Sequence, residues 1–309
     1  MRMATERASD VHLSPGFPPA IRVKGKITPL PEYGKLSAQA TRDTIYGLLN
    51  DDQRKRFESN KQLDLAYAVP GVARFRVNCF FQRGAISAAF RRIPHEIPAL
   101  EALNLPPVLR DFTQRPRGFV LVTGPTGSGK STTLAAMLDI INSEREEHIL
   151  TIEDPIEFLH DHKSCIVNQR EIAADAYDFS LALKSALRED PDVILVGEMR
   201  DLETMATALT AAETGHLVFA TLHTQSTAQT VERIVDVFPS GQQKQVRMQL
   251  SVALQGIVTQ QLLPTADGSG RVVGCEILMP TPAVRNLIRE GKSPQIYSAI
   301  QTSGSIGMQ

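Results

Sequence analysis

The residues Gly124-Pro125-Thr126-Gly127-Ser128-Gly129-Lys130-Ser131 fit the spacing G-x-x-x-x-G-K-[ST]. Glycines at this spacing let the backbone bend so that successive N–H groups point inward at phosphate oxygens. A helix starting at the end of the loop adds its positive N-terminal end. Lys130 supplies a cation for the β- and γ-phosphates, and the Ser131 hydroxyl is a hard oxygen ligand for Mg²⁺. Thr132 and Thr133 are placed to donate to the inner phosphates. The chemistry implied is the binding of a magnesium nucleotide.

Hydrolysis needs more than a cradle. It needs a carboxylate for the metal or its waters, and a group that orients the attacking water. Two acidic segments qualify. In Thr151-Ile152-Glu153-Asp154-Pro155-Ile156-Glu157, three carboxylates fall within five residues and Pro155 takes the chain out of a strand. In Val193-Ile194-Leu195-Val196-Gly197-Glu198, an apolar strand ends in a small residue and a Glu, the general look of a Walker B element. Asp154 is equally readable as a solvated or capping carboxylate, and Asp201 reads as a helix N-cap. His216 and His223 flank the run LVFATL. A lone histidine is usually a packed or capping residue, and His223, just past the strand end, is the better placed of the two.

These groups need elements to position them. GFVLVTG (118–124) is nearly all apolar, as a strand buried on both faces should be. A helix is expected over 129–143, a strand over 148–154, a helix over 179–189, a strand over 193–197, a helix over 201–213 and a strand over 217–222. This alternation predicts a mostly parallel sheet with helices on both sides, and ligands of such sheets bind beyond the carboxyl ends of the strands. From 226 onward the tail reads as mainly helical. Leu250, Leu254, Ile257, Val258 and Gln261 follow an amphipathic helical spacing, Thr281-Pro282 is a cap and first-turn pair, and Gly291 is a stop.

The first part of the chain reads as α+β. Residues 11–13 and 20–30 look like edge strands and turns, 38–49 like a helix with Ile45, Leu48 and Leu49 on one face, and 63–69 and 72–81 like strands. Pro94, Pro98, Pro106 and Pro107 mark a linker or hinge. The fold class is therefore α/β: an N-terminal α+β domain over 1–92, a linker over 93–107, and a nucleotide-binding domain over 108–309 with a helical C-terminal part.

Composition narrows the function classes. The chain has 309 residues, 42% hydrophobic and 22% charged, which excludes a disordered or collagen-like chain. A net charge of -1 argues against a strongly basic nucleic-acid binder. Cys79, Cys165 and Cys275 are isolated, so neither a zinc ribbon nor a disulfide framework is indicated, and a reducing compartment is expected. The sequence holds neither a long apolar run nor a signal-peptide h-region, so a cytoplasmic protein without membrane insertion is expected.

Taken in order, these elements resemble a known family. LREDPDVILVGEMRD (187–201) resembles the signature of the type II/type IV secretion ATPase superfamily, TIEDPIE its Asp box, and TGHLVFATLHT (214–224) its His box. Within it the chain is similar to the PilT-like twitching-motility ATPases, which retract type IV pili. ASDVHLSPGFPPAIRVKGKITPL resembles the start of their N-terminal domain, and PAVRNLIREGK (282–292) their C-terminal A-I-R-N-L motif, with Val284 in place of Ile.

The resemblance implies a PAS-like N-terminal domain, a RecA-like P-loop ATPase domain and a homohexameric ring with ATP between the two domains. It implies Glu157 as general base, Glu198 as the Walker B carboxylate beside Ser131 on Mg²⁺, and His216 and His223 as the His-box pair. Arg76 and Arg83 resemble N-domain arginines that reach the γ-phosphate. In one unbroken strand they fall on opposite faces, so both meet a nucleotide only if the chain bends near Gly84. It further implies a membrane platform protein as partner, at the cytoplasmic face of the inner membrane. The family's helix before Ala8-Ser9-Asp10 is expected to be short or lacking. Pilus-assembly relatives have longer N-terminal domains and a Cys₄ metal motif, and neither is expected here. Competing readings are an assembly or accessory ATPase, a nucleic-acid-translocating motor, and a nucleotide-dependent scaffold without turnover.

Overall fold

The computed structural model describes residues 8–23, 25–69, 73–93, 96–267 and 270–309. They fall into two compact units, one before residue 96 and one from Glu96 to Gln309. Expectations for residues 1–7, for residue 72 and for residues 94 and 95 of the linker lie outside the described residues. The rest of the expected linker is packed chain, with Leu100 in the core of the second unit.

The first unit is a six-stranded sheet in the order β3-β2-β1-β6-β5-β4. Its strands are β1 (Asp10–Leu13), β2 (Ala20–Val23), β3 (Lys26–Pro29), β4 (Gln62–Val69), β5 (Ala73–Gln82) and β6 (Ala85–Ile93). All its pairings are antiparallel. Residues 11–13 are thus an interior strand, because β6 returns beside β1; the expected edge falls to β3. Two helices, α1 (Ala38–Leu48) and α2 (Asp51–Asn60), contribute Ile45 and Phe57 to one core with Val77, Cys79 and Ile86. Asn50 caps α2 in a capping box with Gln53. Neither α2 nor β6 was anticipated: α2 is almost wholly polar, with Phe57 its one buried anchor.

The second unit carries a seven-stranded sheet, β13-β12-β7-β11-β10-β8-β9. These strands are β7 (Gly118–Thr123), β8 (His148–Glu153), β9 (Ile166–Glu171), β10 (Val193–Val196), β11 (Leu217–Leu222), β12 (Leu254–Pro264) and β13 (Arg271–Leu278). All pairings are parallel except β12 with β13. Its helices are α3 (Val108–Thr113), α4 (Lys130–Glu144), α5 (Phe179–Ala186), α6 (Leu202–Thr214), α7 (Thr227–Asp236), α8 (Ser240–Ala253), α9 (Pro282–Glu290) and α10 (Ile296–Gln301).

Side chains alternate across the sheet and feed two cores. Val120, Val122, Leu195 and Phe219 pack with Phe112, Met137 and Ile141 of α3 and α4. Leu121, Ile152, Val196 and Val218 pack with residues of α5 to α10 on the other face. Each fully buried side chain of this size stabilises the fold by about 1.5–3 kcal/mol relative to exposure.

The helical reading of 250–261 is corrected. Helix α8 ends at Ala253, and Leu254–Pro264 is strand β12 beside β7. Leu254, Gly256, Ile257, Val258, Thr259 and Gln260 are buried. A Cβ at Gly256 would lie 2.3 Å from the Phe112 ring, so the glycine admits that ring. Arg285 ends α8 by donating to the carbonyls of Ser251, Val252 and Leu254. Strand β9 was likewise unanticipated, and so was β13, which pairs with β12 in the tail expected to be mainly helical. The caps at Asp201, Thr281 and Gly291 stand as expected.

Candidate functional site

Strand β7 is buried at every position and delivers the chain to Gly124. At Gly124 φ is +136°, and an added Cβ would lie 2.2 Å from the Gln260 carbonyl oxygen and 2.7 Å from Ser128 Oγ. Only glycine fits this exit. The loop closes into α4 through Gly129, whose left-handed backbone caps the helix without a side-chain acceptor. The first N–H groups of α4 are therefore left to a ligand. Ser128 Oγ is buried without a hydrogen-bond partner among the described residues, which suits a hydroxyl that waits for a phosphate oxygen.

Lys130 is 8% exposed. Its Nζ donates to the carbonyls of Gly124 and Pro125 at 2.9 and 3.0 Å. Burial pulls its pKa below the usual lysine value, and the charges of Glu198 and Glu157 oppose that. The ammonium thus senses both carboxylates that the sequence nominated, from separate strand ends.

Glu198 follows Gly197 at the end of β10. Arg200 Nη2 donates to its Oε2 at 2.6 Å, and His223 Nε2 stands 3.1 Å from its Oε1. Burial acts to raise the carboxyl. The Arg200 hydrogen bond and charge, with His223 and Lys130, outweigh it and hold Glu198 below the usual carboxylate range. Glu153, at the end of β8, accepts from Thr151 Oγ1 at 2.7 Å and Gln169 Nε2 at 3.2 Å. Burial pushes its carboxyl up to about 7, against these hydrogen bonds. Glu157 is exposed, beyond the turn at Pro155.

Ser131, in the first turn of α4, and Glu198, after β10, each carry a hard oxygen. No group of three or more His, Cys, Asp or Glu among the described residues is arranged to hold a metal. A cavity of about 30 Å³ behind the loop is lined by Ser131, Glu153, His160, Gly197 and Thr221. A larger one, about 430 Å³, lies beside Pro125 and is lined by Gln225, Gln260, Gly274 and Glu276, among others.

The remaining sequence candidates are His216, Arg76 and Arg83. His216 stands at the start of β11, where its Nδ1 is 3.0 Å from the Ala211 carbonyl oxygen. Six strand residues, about 20 Å at ~3.3 Å each, separate it from His223. Arg76 is exposed on β5. Arg83 occupies the β5–β6 turn with φ +49°, before Gly84 at +77°, a two-residue hairpin turn. The bend expected near Gly84 exists, but it puts Arg83 at the hairpin tip, about 20 Å along the strand from Arg76. The hairpin does not bring the two arginines together.

Sequence reasoning passed over Arg200, although its place two residues after the Walker B-like Glu was readable. It also passed over Gln260, whose Nε2 donates to Thr133 Oγ1 at 2.9 Å; the helical reading of its segment hid it.

Comparison with known proteins agrees with this picture. The family described as "Type II/IV secretion system protein" matches residues 92–304. The "Type IV pilus retractation ATPase PilT" of Pseudomonas aeruginosa is 56% identical over 306 residues, 99% of this chain and 88% of that protein. The "Twitching motility protein" of Neisseria gonorrhoeae is 54% identical over 293 residues, 94% of this chain and 78% of that one. The crystal structure of "the Pilus Retraction Motor PilT and Bound ADP" superposes with a TM-score of 0.93 at 53% identity, covering 97% of this chain and 88% of the other.

Proposed function

The chain belongs to the Type II/IV secretion system protein family, and from that premise we propose that it is an ATPase that drives type IV pilus retraction. The observation that carries this reading is the buried Lys130 at the end of a glycine loop, within electrostatic reach of Glu198 and Glu157 beyond β10 and β8. The similarity to a retraction ATPase and to an ADP-bound retraction motor supports it.

ATP lies with its phosphates in the 124–132 loop. Gly127, Ser128, Gly129 and Lys130 offer N–H groups and a cation, and Thr126 and Thr132 flank them. The 430 Å³ cavity beside Pro125 gives room for the remainder of the nucleotide. Ser131 and Glu198 would hold Mg²⁺, which would neutralise phosphate charge when bound. Glu157, exposed beyond β8, takes the proton as a water attacks the γ-phosphorus and the bond from that phosphorus to the bridging oxygen of ADP breaks, giving ADP and phosphate. His223 fixes Glu198 from one side. Arg76, exposed on β5 of the first unit, is the arginine proposed for charge on the γ-phosphate. Six copies form the ring, and a membrane platform protein receives the motion. No described helix is long and apolar enough to cross a membrane, so attachment runs through that partner.

The test is Glu198→Gln. The variant should bind ATP with near-parent affinity and release phosphate at least ~10²-fold more slowly. Turnover at the parent rate removes the assignment. In cells, loss of the gene should leave excess pili without twitching; bald cells would indicate assembly instead. Native mass measurement with nucleotide reads the ring.

A further inference from the structure

Arg200 lies two residues beyond Glu198 and outside every motif role given above. It donates to Glu198 Oε2 at 2.6 Å, while His223 stands 3.1 Å from Oε1. Both carboxylate oxygens are therefore engaged in the protein as it stands. The two partners differ in kind. Arg200 carries a permanent charge on a side chain 70% exposed, and Glu198 is 20% exposed. Asp154, from the neighbouring acidic segment, adds to the negative surroundings of the guanidinium.

A partly enclosed carboxylate is costly without a counter-charge. Lys130 does not supply it by contact, since its ammonium is bonded to the loop carbonyls of Gly124 and Pro125. His223, on Oε1, does not supply a permanent one either, because an imidazole exchanges its proton. A guanidinium on Oε2 can, but it stands where a divalent cation or its water shell needs that oxygen, and two cations on one oxygen repel. Because its stem is exposed, the ion pair is weak enough to exchange.

We propose that Arg200 is a positioning residue that stands in for the metal: it holds Glu198 in the nucleotide-free site and is displaced when the magnesium nucleotide arrives. The inference rests on the ATPase reading of the site. It has two consequences. Metal competes with Arg200 for Glu198. The hold also weakens with salt.

The experiment uses the full chain as wild type, Arg200→Ala and Arg200→Lys, without turnover. ADP is held saturating, and Mn²⁺ is titrated as a paramagnetic stand-in for magnesium, with free ion read by its resonance signal. A parallel titration measures ADP affinity in EDTA. Arg200→Ala should bind Mn²⁺ about fivefold more tightly than wild type, the scale of an exposed ion pair, with Arg200→Lys between them and ADP affinity in EDTA unchanged. Unchanged or weaker Mn²⁺ binding in Arg200→Ala overturns the inference, because an arginine that merely shapes the loop gives that result. Loss of metal-free ADP affinity overturns it too, because it makes Arg200 a phosphate ligand. Wild type that binds no ADP overturns the ATPase reading and this inference together. ADP binding with manganese affinity unmoved overturns this inference alone.

Discussion

The two ends of the parallel sheet in the second unit are built from similar residues and behave differently. At the carboxyl ends of β7, β8, β10 and β11 stand Gly124, Glu153, Glu198 and His223, close enough for Lys130 to sense Glu198 and Glu157. At the amino ends stand His148 and His216, whose ring nitrogens meet the carbonyls of Asp190 and Ala211. One end ties its carboxylates to polar and charged side chains; the other spends its histidines on its own backbone. His216 and His223 flank a single strand, so residue type does not separate them. Strand direction does, because parallel strands gather their exit loops, and the N-terminus of α4, on one side.

The strongest way to break this contrast is Glu157→Gln. It should lower kcat by about 10²–10⁴ while ATP affinity holds, and His216→Ala should leave kcat within about threefold of the parent. Equal losses, read by phosphate release at saturating ATP, would erase the distinction between the ends.

Gly124→Ala tests the exit of β7. The new Cβ would meet the Gln260 carbonyl oxygen at 2.2 Å in a backbone region that L residues avoid. It should cost on the order of 3 kcal/mol of stability, seen as a lower denaturant midpoint, and should abolish nucleotide binding.

Glu153→Gln probes the enclosed carboxyl. In the folded chain Glu153 titrates at about 7, against a reference of 4.5. The folded state thus holds its proton where the unfolded state has lost it. Stability from this group is present below about 4.5, declines as pH rises towards 7, and is flat above. The decline is on the order of 3 kcal/mol. Glu153→Gln should flatten it in urea melts at stepped pH. An unaltered profile would show that the carboxyl ionises freely.

The smallest effect is on stability at the amino end. His216→Ala should cost about 1 kcal/mol by leaving the Ala211 carbonyl with one donor fewer, with thermal melting as the readout.

Much of the site was legible because its chemistry is local in the chain. The phosphate loop and the Glu198 element each need contiguous residues, and each fell on the strand or helix expected. Distances along an element were legible only in part. Arg76 and Arg83 share a hairpin, but a two-residue turn carries Arg83 to the tip. The tail was misread at 250–261, where a short apolar run fits either period. The open edge of β7 made it a strand, and Arg285, more than thirty residues later, ended the helix before it.

What the sequence determined alone was the backbone chemistry of the loop and the alternation of β7, α4, β8, α5, β10, α6 and β11, since steric limits on glycine and side-chain periodicity act over a few residues. What the tertiary structure decided was which charges meet. Arg200 and His223 both reach Glu198, Gln260 from β12 backs the loop, and His216 is turned to the far end. Those contacts depend on strand order in the sheet, which a one-dimensional pattern does not carry.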